Sequence, residues 1–274
     1  MAQAQVAVIM GVYNPDAGQL EQSVASILAQ DYTDLTFYIC DDGSHEKTWR
    51  QLKGYARADS RIRLLRHSEN RGLAAALNSC LALADEPYIA RQDADDISLP
   101  GRISCQAVYL QAHPDISFIG SSLQLINAGG RVWGARRFPP CPQPEDFLFS
   151  VPFQHGALMF RREALEQCGG YRVGRLTRRT EDYQLLMRMY AMGMRGENLP
   201  APYYLFREDE AAQKRRKYRY RVDEAVIRMQ GFSQMGLGWK GLIYAAKPLA
   251  VGLLPSGVRQ KIKKRQYGLQ AGQE

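Results

Sequence analysis

The fold of this chain follows from the segment Tyr88-Ile89-Ala90-Arg91-Gln92-Asp93-Ala94-Asp95-Asp96, in which a short apolar run leads directly into three carboxylates. Like charges a few ångströms apart raise one another's pKa unless a cation or hydrogen-bond donors compensate for them. A hard divalent cation meets this need, because Mg²⁺ binds one or two carboxylates together with phosphate oxygens. The segment therefore predicts a buried strand that ends at a site for a metal ion and a diphosphate.

Apolar strands and amphipathic helices alternate on the N-terminal side of this segment. Val6 to Met10 is apolar without interruption, as a strand covered on both faces should be. The alternation predicts an α/β fold, with a mostly parallel central sheet and helices on both faces. The predicted strands span residues 6–10, 35–40, 62–65 and 88–91, and the predicted helices span residues 20–28, 46–58 and 72–83.

The pattern is looser in the second half of the chain. Four prolines between residues 139 and 144 exclude a helix interior and a central strand there. From about residue 211 the composition becomes basic and helical, which predicts a basic amphipathic extension. Helices are predicted at residues 101–113 and 182–192, strands at 116–126 and 156–160, and an edge strand at 199–206.

Composition narrows the class of protein. The 274 residues are 45% hydrophobic, and the net charge of +8 fits either an anionic partner or a solvated basic face. The five cysteines are odd in number and form no CxxC pair, so neither a disulfide framework nor a zinc site is predicted and a reducing compartment is favoured. No signal peptide and no membrane-spanning helix are predicted.

Polar residues follow the first two predicted strands as well. In open α/β sheets, ligands bind beyond the carboxyl ends of the strands. Val12, Tyr13 and Asn14 follow the first strand, and Asp41 and Asp42 follow the second. The Tyr13 ring can stack on a base, or it can simply pack against the protein. A carboxylate after the second strand can accept an N–H of the base, or it can belong to an ordinary turn. Together with the acidic cluster, these residues favour a nucleotide site.

No glycine-rich phosphate loop is predicted, because neither GxxxxGK[ST] nor GxGxxG follows the first strand. The diphosphate then depends on a metal and on Arg or Lys. Arg71, at the start of a predicted helix, is a candidate cationic contact or an exposed loop residue. Thr180-Glu181-Asp182 begins another helix, where the acids are either a helix N-terminal signal or include a general base for a hydroxyl.

These motifs resemble, in order and spacing, the family 2 glycosyltransferases of the GT-A fold. The resemblance covers residues 6 to about 207. Within the family, the chain resembles the small bacterial enzymes that build exopolysaccharide, capsule or O-antigen repeats. It implies a GT-A domain over residues 1–225, with a nucleotide-binding half (1–100), an acceptor half (101–225) and a C-terminal extension (226–274). The motifs are Val8-Ile9-Met10-Gly11-Val12-Tyr13-Asn14, Asp41-Asp42-Gly43-Ser44, Asn70-Arg71-Gly72, Asp93-Ala94-Asp95-Asp96 and Thr180-Glu181-Asp182.

The resemblance implies roles in donor binding. Asp42, with Asp41 beside it, resembles the carboxylate that reads the uracil N3–H, and Tyr13 resembles the aromatic residue that stacks on the base. Asp93 resembles the ribose contact, and Asp95 resembles the metal ligand between the two phosphates. The full set of implied nucleotide-sugar contacts is Val12, Tyr13, Asn14, Asp41, Asp42, Arg71, Asp93, Ala94 and Asp95.

The resemblance also implies roles in catalysis. Asp182 resembles the catalytic base, with Glu181 adjacent to it and Asp96 as a supporting acid in the first cluster. His155 matches a family histidine that contacts the donor phosphate or the acceptor, and a structural histidine is the alternative. The family commonly has proline or threonine in place of Gly11, so we expect a looser turn there and close ligand approach. The QxxRW signature is absent, which argues for one sugar per encounter.

The implied function is inverting transfer of a single sugar from a UDP-sugar to a hydroxyl of a saccharide acceptor, with Mn²⁺ or Mg²⁺ held by Asp95. The implied acceptor is linked to undecaprenyl diphosphate. Residues 237–265, an apolar stretch followed by a basic run, predict either a peripheral cytoplasmic location on the inner membrane face or a helix packed on the main domain. The alternatives are a polyprenyl-phosphate glycosyltransferase that uses a GDP- or UDP-sugar, a nucleotidyltransferase and a basic nucleic-acid-binding protein; no nucleic-acid partner is expected.

Overall fold

The computed structural model describes residues 4–208, 218–253, 257–258 and 265–267. Its strands are β1 (Val6–Val12), β2 (Leu35–Asp41), β3 (Ile62–Arg66), β4 (Tyr88–Arg91), β5 (Ile97–Ser98), β6 (Phe118–Ile126), β7 (Val132–Arg136), β8 (Met159–Arg161) and β9 (Gly196–Arg207). Its helices are α1 (Ala17–Leu28), α2 (Glu46–Ala58), α3 (Leu73–Leu81), α4 (Arg102–Ala112), α5 (Arg162–Gln167), α6 (Glu181–Ala191), α7 (Arg219–Gln234), α8 (Gly238–Ala245) and α9 (Lys247–Leu253).

The strands form one sheet in the order β3-β2-β1-β4-β8-β6-β9-β5, and β7 pairs with β6. β3, β2, β1 and β4 pair in parallel, whereas β8 is antiparallel to both β4 and β6. Beyond this reversal, β6 and β9 are again parallel. The predicted α/β fold is confirmed, and its parallel character is concentrated in the N-terminal half of the sheet.

Alternate residues of β1 face opposite layers of the molecule. Val6, Val8 and Met10 belong to the hydrophobic cluster that includes α1 and α4, whereas Ala7 and Ile9 belong to the cluster that includes α3 and α6. Successive side chains of a strand point to opposite faces of the sheet. Because helices cover both faces, every position of β1 must be apolar, and this is why the strand is recognisable from the sequence.

Gly11 lies inside β1, where Cys40 of β2 is its register partner. A Cβ atom at this position would lie 2.9 Å from Leu73 Cδ1 and 3.1 Å from Ala76 Cβ. The missing side chain therefore lets α3 pack closely against the strand. The expectation of a loosened turn at Gly11 is wrong, because the residue is not in a turn and its close neighbour is a helix.

The second half of the chain differs from the prediction in several places. The start of the strand expected at 156–160 is a 3₁₀ turn, His155–Ala157, because Ala157 N–H donates to the Gln154 carbonyl oxygen (3.0 Å) rather than to a strand. The strand expected at the sheet edge is the longer β9, which lies between β6 and β5. β5, β7 and α5 were not predicted, because two to six residues are too few to show a periodicity.

The C-terminal helices pack on the main domain. Ile227, Phe232 and Ala245 are buried in the same hydrophobic cluster as α6, and the predicted boundary at residues 225 and 226 falls inside α7. In the described part of the chain, no helix combines the length and the apolar character needed to cross a bilayer. The basic run at residues 259–265 lies outside the described residues, apart from Arg265.

Candidate active site

Hydrogen bonds join the loops that follow β1 and β2. Asn14 N–H donates to Ser44 Oγ (3.0 Å), and Asn14 Oδ1 accepts from His45 N–H (2.9 Å). Asp42 N–H donates to the Val12 carbonyl oxygen (2.8 Å). Asn14 has a positive φ of 46°, which asparagine tolerates better than most residues. The structure therefore brings together Val12, Asn14 and Asp42, as the sequence predicted for a nucleotide site.

Asp42 is a buried acceptor that shapes the next loop. Its Oδ1 accepts from Arg71 N–H (2.9 Å) and lies 2.7 Å from His67 Nδ1, and its Oδ2 accepts from Gly72 N–H (2.8 Å). Gly72 is the last residue before α3. The carboxylate thus holds the start of α3, and with it Arg71, beside the ends of the first two strands.

Asp41 and Tyr13 differ in accessibility. Asp41 is fully buried, where its Oδ1 accepts from Ser44 N–H (3.0 Å) and its Oδ2 lies 3.1 Å from Arg66 Nε. Tyr13 is 54% exposed, so its ring is available for stacking. The structure makes Asp41 a support for the loop and leaves the Tyr13 ring exposed, whereas Asp42 is itself only 2% exposed.

Arg71 lines a cleft of about 440 Å³ that is rich in arginine. Leu73, Arg179 and Glu181 line both this cleft and a larger neighbouring one. Four positive charges on its walls can act on a bound anion. The arginines of this cleft are Arg71, Arg175, Arg178 and Arg179.

The larger cleft has a volume of about 630 Å³ and contains most of the predicted chemistry. Strand polarity explains part of this: β8 runs antiparallel to β4, and Arg91 N–H donates to the Leu158 carbonyl oxygen (2.8 Å). The residues before β8 therefore lie beside those after β4. The predicted residues that line this cleft are Asp93, Asp95, His155, Glu181 and Asp182.

Asp93 is held in place by a buried cation. Arg91 Nη2 lies 2.6 Å from Asp93 Oδ1, and the Arg91 side chain is 1% exposed. Asp93 N–H donates to the Tyr204 hydroxyl oxygen (3.2 Å). A Cβ atom at Gly156 would lie 2.5 Å from Asp93 Oδ2, so only glycine allows the backbone before β8 to approach this carboxylate.

Asp95 and Asp96 have different environments. Asp95 is open to the cleft, yet desolvation by the surrounding walls and the charge of Asp93 raise its pKa to about 6. Asp96 is buried, and its Oδ1 accepts from Arg207 N–H (2.6 Å). Ala94, between them in the chain, packs against the hydrophobic cluster that includes α1 and α4. Asp95 is therefore the accessible member of the cluster, and Asp96 holds the loop to the end of β9.

Glu181 and Asp182 begin α6, where the helix N-terminus favours negative charge. Asp182 Oδ1 accepts from Tyr183 N–H (2.7 Å), and the Thr180 hydroxyl donates to the Leu176 carbonyl oxygen (3.1 Å). Desolvation and the neighbouring Asp182 raise the pKa of Glu181 to about 7. Two adjacent carboxyl groups thus face the cleft, and Glu181 changes its protonation state near neutral pH.

His155 is buried and uncharged. Its Nε2 lies 2.8 Å from the Tyr171 hydroxyl oxygen. Burial, with a further contribution from the Arg91 charge, lowers its pKa well below the ordinary value. At neutral pH this histidine can form hydrogen bonds in the cleft but contributes no positive charge.

Several residues of the site were not predicted from the sequence. Arg91 could have been found, because a charged residue inside a short apolar strand must be paired when it is buried. Arg207 of β9 and Glu224 and Arg228 of α7 also line the cleft. They lie far along the chain from the motifs and in segments without an apolar period, so no sequence signal connects them to the site.

The acidic cluster fits a cation that is shared with its substrate. Within the described ranges, no group of three or more His, Cys, Asp or Glu side chains is arranged to bind a metal alone. Mg²⁺ and similar ions need only one or two carboxylates when phosphate oxygens complete the coordination. The accessible Asp95, whose pKa is raised beside Asp93, is a carboxylate that such a cation would stabilise.

Comparison with known families agrees with this chemistry. A model of glycosyl transferase family 2 matches residues 7–177. The chain belongs to glycosyltransferase family 2. The resemblance predicted from the motifs is confirmed, and a glycosyltransferase is favoured over the nucleotidyltransferase and nucleic-acid-binding alternatives.

Three related proteins are named as glycosyltransferases. EpsE of Bacillus subtilis (strain 168) is 40% identical over 262 residues, which are 95% of this chain and 94% of EpsE. The O-antigen biosynthesis glycosyltransferase WbnJ of Escherichia coli is 31% identical over 190 residues, 67% of this chain and 71% of WbnJ. The amylovoran biosynthesis glycosyltransferase AmsE of Erwinia amylovora is 24% identical over 261 residues, 92% of this chain and 96% of AmsE.

Solved structures share the fold. The mannosyltransferase PcManGT of Pyrobaculum calidifontis, in complex with GDP-Man and Mn²⁺, has a TM-score of 0.62 at 21% identity and covers 97% of this chain and 81% of its own. TarS 1–349 of S. aureus, in complex with UDP-GlcNAc, has a TM-score of 0.69 at 16% identity and covers 91% of this chain and 71% of its own. This family 2 chain therefore has the GT-A fold that its motifs implied.

Proposed function

We propose that this family 2 glycosyltransferase transfers one sugar from a UDP-sugar to a saccharide hydroxyl, with inversion and with a divalent metal. One observation carries the proposal: a single cleft is lined both by the carboxylates Asp93 and Asp95 and by Asp182. The donor diphosphate requires the first pair, through a cation, and the acceptor hydroxyl requires a base. The cleft can hold both reacting groups together.

The nucleoside would bind at the ends of β1 and β2. The exposed ring of Tyr13 offers a stacking surface, and the Asp42 carboxylate offers an acceptor for the imide N–H of uracil. Arg71 and the arginines of the adjoining cleft would balance the charge of the diphosphate. PcManGT and TarS bind different nucleotide sugars on the same fold, so the preference for UDP rests on Asp42.

The chemistry needs one base and no covalent intermediate. Asp182 accepts the proton of the acceptor hydroxyl while the oxygen attacks the anomeric carbon from the face opposite the diphosphate. The bond from that carbon to the diphosphate oxygen breaks, its electron pair leaves with UDP, and an α-linked donor gives a β-linked product. A divalent cation, when bound at Asp95, supplies Lewis-acid stabilisation of the charge on the leaving group. Glu181 and neutral His155 line the same cleft and would contact the acceptor or the phosphates.

A thermal-shift panel of UDP-, GDP- and dTDP-sugars, with and without Mn²⁺, tests the proposed function. We expect UDP-sugars with Mn²⁺ to raise the melting temperature by several degrees, because ligand at about 100 times its dissociation constant contributes about 2.7 kcal/mol. GDP-sugars should have smaller effects. A protein that responds to GDP-mannose alone would support the polyprenyl-phosphate alternative, and one that responds to no nucleotide would contradict the proposed function.

We also propose that the chain acts on a lipid-linked acceptor from the cytoplasmic face of the inner membrane. Trp239, Leu242 and Ile243 of α8 are 69%, 61% and 61% exposed and lie at helical spacing on one face. Lys240 is exposed beside them, and the sequence continues into the basic run at residues 259–265. An apolar stripe beside cationic groups suits an anionic membrane surface.

Leu242→Asp is expected to reduce flotation of the protein with phosphatidylglycerol vesicles by about tenfold or more, because a buried leucine contributes about 1.5–3 kcal/mol. Val108→Asp is the matched control, since Val108 on α4 is also 61% exposed. Equal flotation of the two variants would contradict the membrane proposal.

A further inference from the structure

His67 lies between the end of β2 and the side of α3, and its side chain is 8% exposed. Its backbone N–H donates to the Asp41 carbonyl oxygen (2.8 Å). In the side chain, Nδ1 lies 2.7 Å from Asp42 Oδ1 and Nε2 lies 2.9 Å from Ser79 Oγ. The imidazole therefore connects a residue of the helix to the carboxylate that is proposed to read the base.

The direction of each hydrogen bond follows from the chemistry of the partners. The Asp42 carboxylate also accepts from the backbone N–H groups of Arg71 and Gly72, so it acts as an acceptor throughout. His67 must then donate from Nδ1, and in the neutral imidazole Nε2 accepts from the Ser79 hydroxyl; the same nitrogen lies 3.6 Å from Cys40 Sγ. Ser79 thus holds the histidine in the tautomer and orientation that keep its N–H on Asp42.

Three hydrogen-bond donors occupy most of the acceptor positions of Asp42. A carboxylate offers about four acceptor positions, two on each oxygen. Oδ1 already accepts from His67 and Arg71, and Oδ2 accepts from Gly72. Among the partners that the structure describes, one acceptor position therefore remains, and it is on Oδ2.

A single remaining acceptor position discriminates between nucleobases. Uracil and thymine present one ring N–H, at N3, flanked by carbonyl oxygens. Guanine presents two adjacent donors, the N1–H and the exocyclic amino group, and would leave one of them unpaired at this buried site. Unpaired polar groups are costly out of water, and sites that use hydrogen bonds discriminate strongly for this reason.

We propose that His67, held by Ser79, is a positioning residue that makes the donor site select a base with a single ring N–H. This inference rests on the proposed function, because it takes Asp42 as the residue that reads the base. It deepens that function by naming the residue that determines how many donors Asp42 can accept. His67 touches no substrate in this role and acts through Asp42.

The test compares the dissociation constants of UDP, dTDP and GDP, each with Mn²⁺, for the wild type and for His67→Phe. We expect UDP and dTDP to bind about tenfold more weakly to His67→Phe, and the preference for UDP over GDP to fall by about tenfold, because one charge-assisted hydrogen bond is lost and one acceptor position is freed. His67→Asn, whose amide N–H can occupy the place of Nδ1–H, should restore most of the preference. Ser79→Ala should shift the preference in the same direction by a smaller factor.

His113→Phe is the matched control. His113 is also hydrogen-bonded through Nδ1, but its partner is the Tyr109 carbonyl oxygen (2.8 Å) rather than Asp42, so its replacement should leave the preference unchanged. Equal UDP-to-GDP ratios in the wild type, His67→Phe and Ser79→Ala would overturn the role of His67, and so would a loss that His67→Asn does not restore. Unchanged UDP affinity in Asp42→Asn would instead contradict base reading by Asp42, which belongs to the proposed function.

Discussion

Replacing Asp182 with asparagine is expected to leave nucleotide-sugar binding intact and to lower the rate of sugar transfer by at least about 10³-fold, near the upper part of the range for general-base catalysis. Asparagine keeps the size of the side chain and one acceptor oxygen but cannot accept the proton of the hydroxyl. The measurement is UDP release from the UDP-sugar that stabilises the protein most, with a lipid extract as the acceptor source. Donor binding is followed in parallel by thermal shift.

Glu181→Gln is the matched control, because it removes the neighbouring carboxyl group on the same helical turn and should retain most of the transfer rate. The pKa of Glu181 is raised to about 7 in the folded state, so between about pH 4.5 and 7 the folded protein binds more protons than the unfolded chain. Its stability therefore falls as the pH rises through this window. The glutamine variant lacks this loss and should be the more stable protein at pH 8. Transfer that survives in Asp182→Asn and is lost in Glu181→Gln would assign the base to Glu181.

Asp95→Ala is expected to abolish Mn²⁺-dependent stabilisation by UDP-sugars and to lower the rate of transfer by about 10² to 10³-fold. The reason is that the cation stabilises the charge that develops on the leaving diphosphate by several kcal/mol. Without metal or nucleotide the same variant should be more stable than the wild type at pH 8, by up to about 1 kcal/mol, because an exposed carboxylate repelled by Asp93 is removed. The two effects have opposite signs, and general damage to the fold cannot produce both.

Asp115→Ala serves as the control for this experiment. Asp115 is an exposed aspartate that lies outside both clefts, so its loss should change neither the metal response nor transfer. The measurements are thermal shifts with and without Mn²⁺ and UDP-sugar, and urea denaturation of the ligand-free proteins. A full Mn²⁺ response in Asp95→Ala would remove Asp95 as the metal ligand.

The first hundred residues could be predicted closely because each strand or helix there has its own apolar run or helical period. β1 is buried on both faces and is therefore apolar at every position, and the helix predicted at residues 46–58 coincides with α2. The site residues that follow strands could be found for the same reason, since strand ends in such sheets converge.

The parts that could not be predicted depend on contacts between distant segments. Gly11 has the sequence environment of a loop glycine, but its role is set by Leu73 and Ala76 of a helix more than 60 residues away. Arg228 of α7 reaches the cleft because its helix packs on α6, which no local pattern encodes. His67 was overlooked because a histidine after a strand gains significance only when its partners are known.

The antiparallel pairing of β4 with β8 has a consequence for how such enzymes change over evolutionary time. The chain leaves β4 just before Asp93, and about 60 residues later it returns to the same place at Gly156. The intervening residues include Asp95, Asp96 and the strands β5, β6 and β7 of the same sheet, so replacing this segment would change both the acidic cluster and the core of the sheet. The residues after β4 and those before β8 must therefore change together when such enzymes diverge.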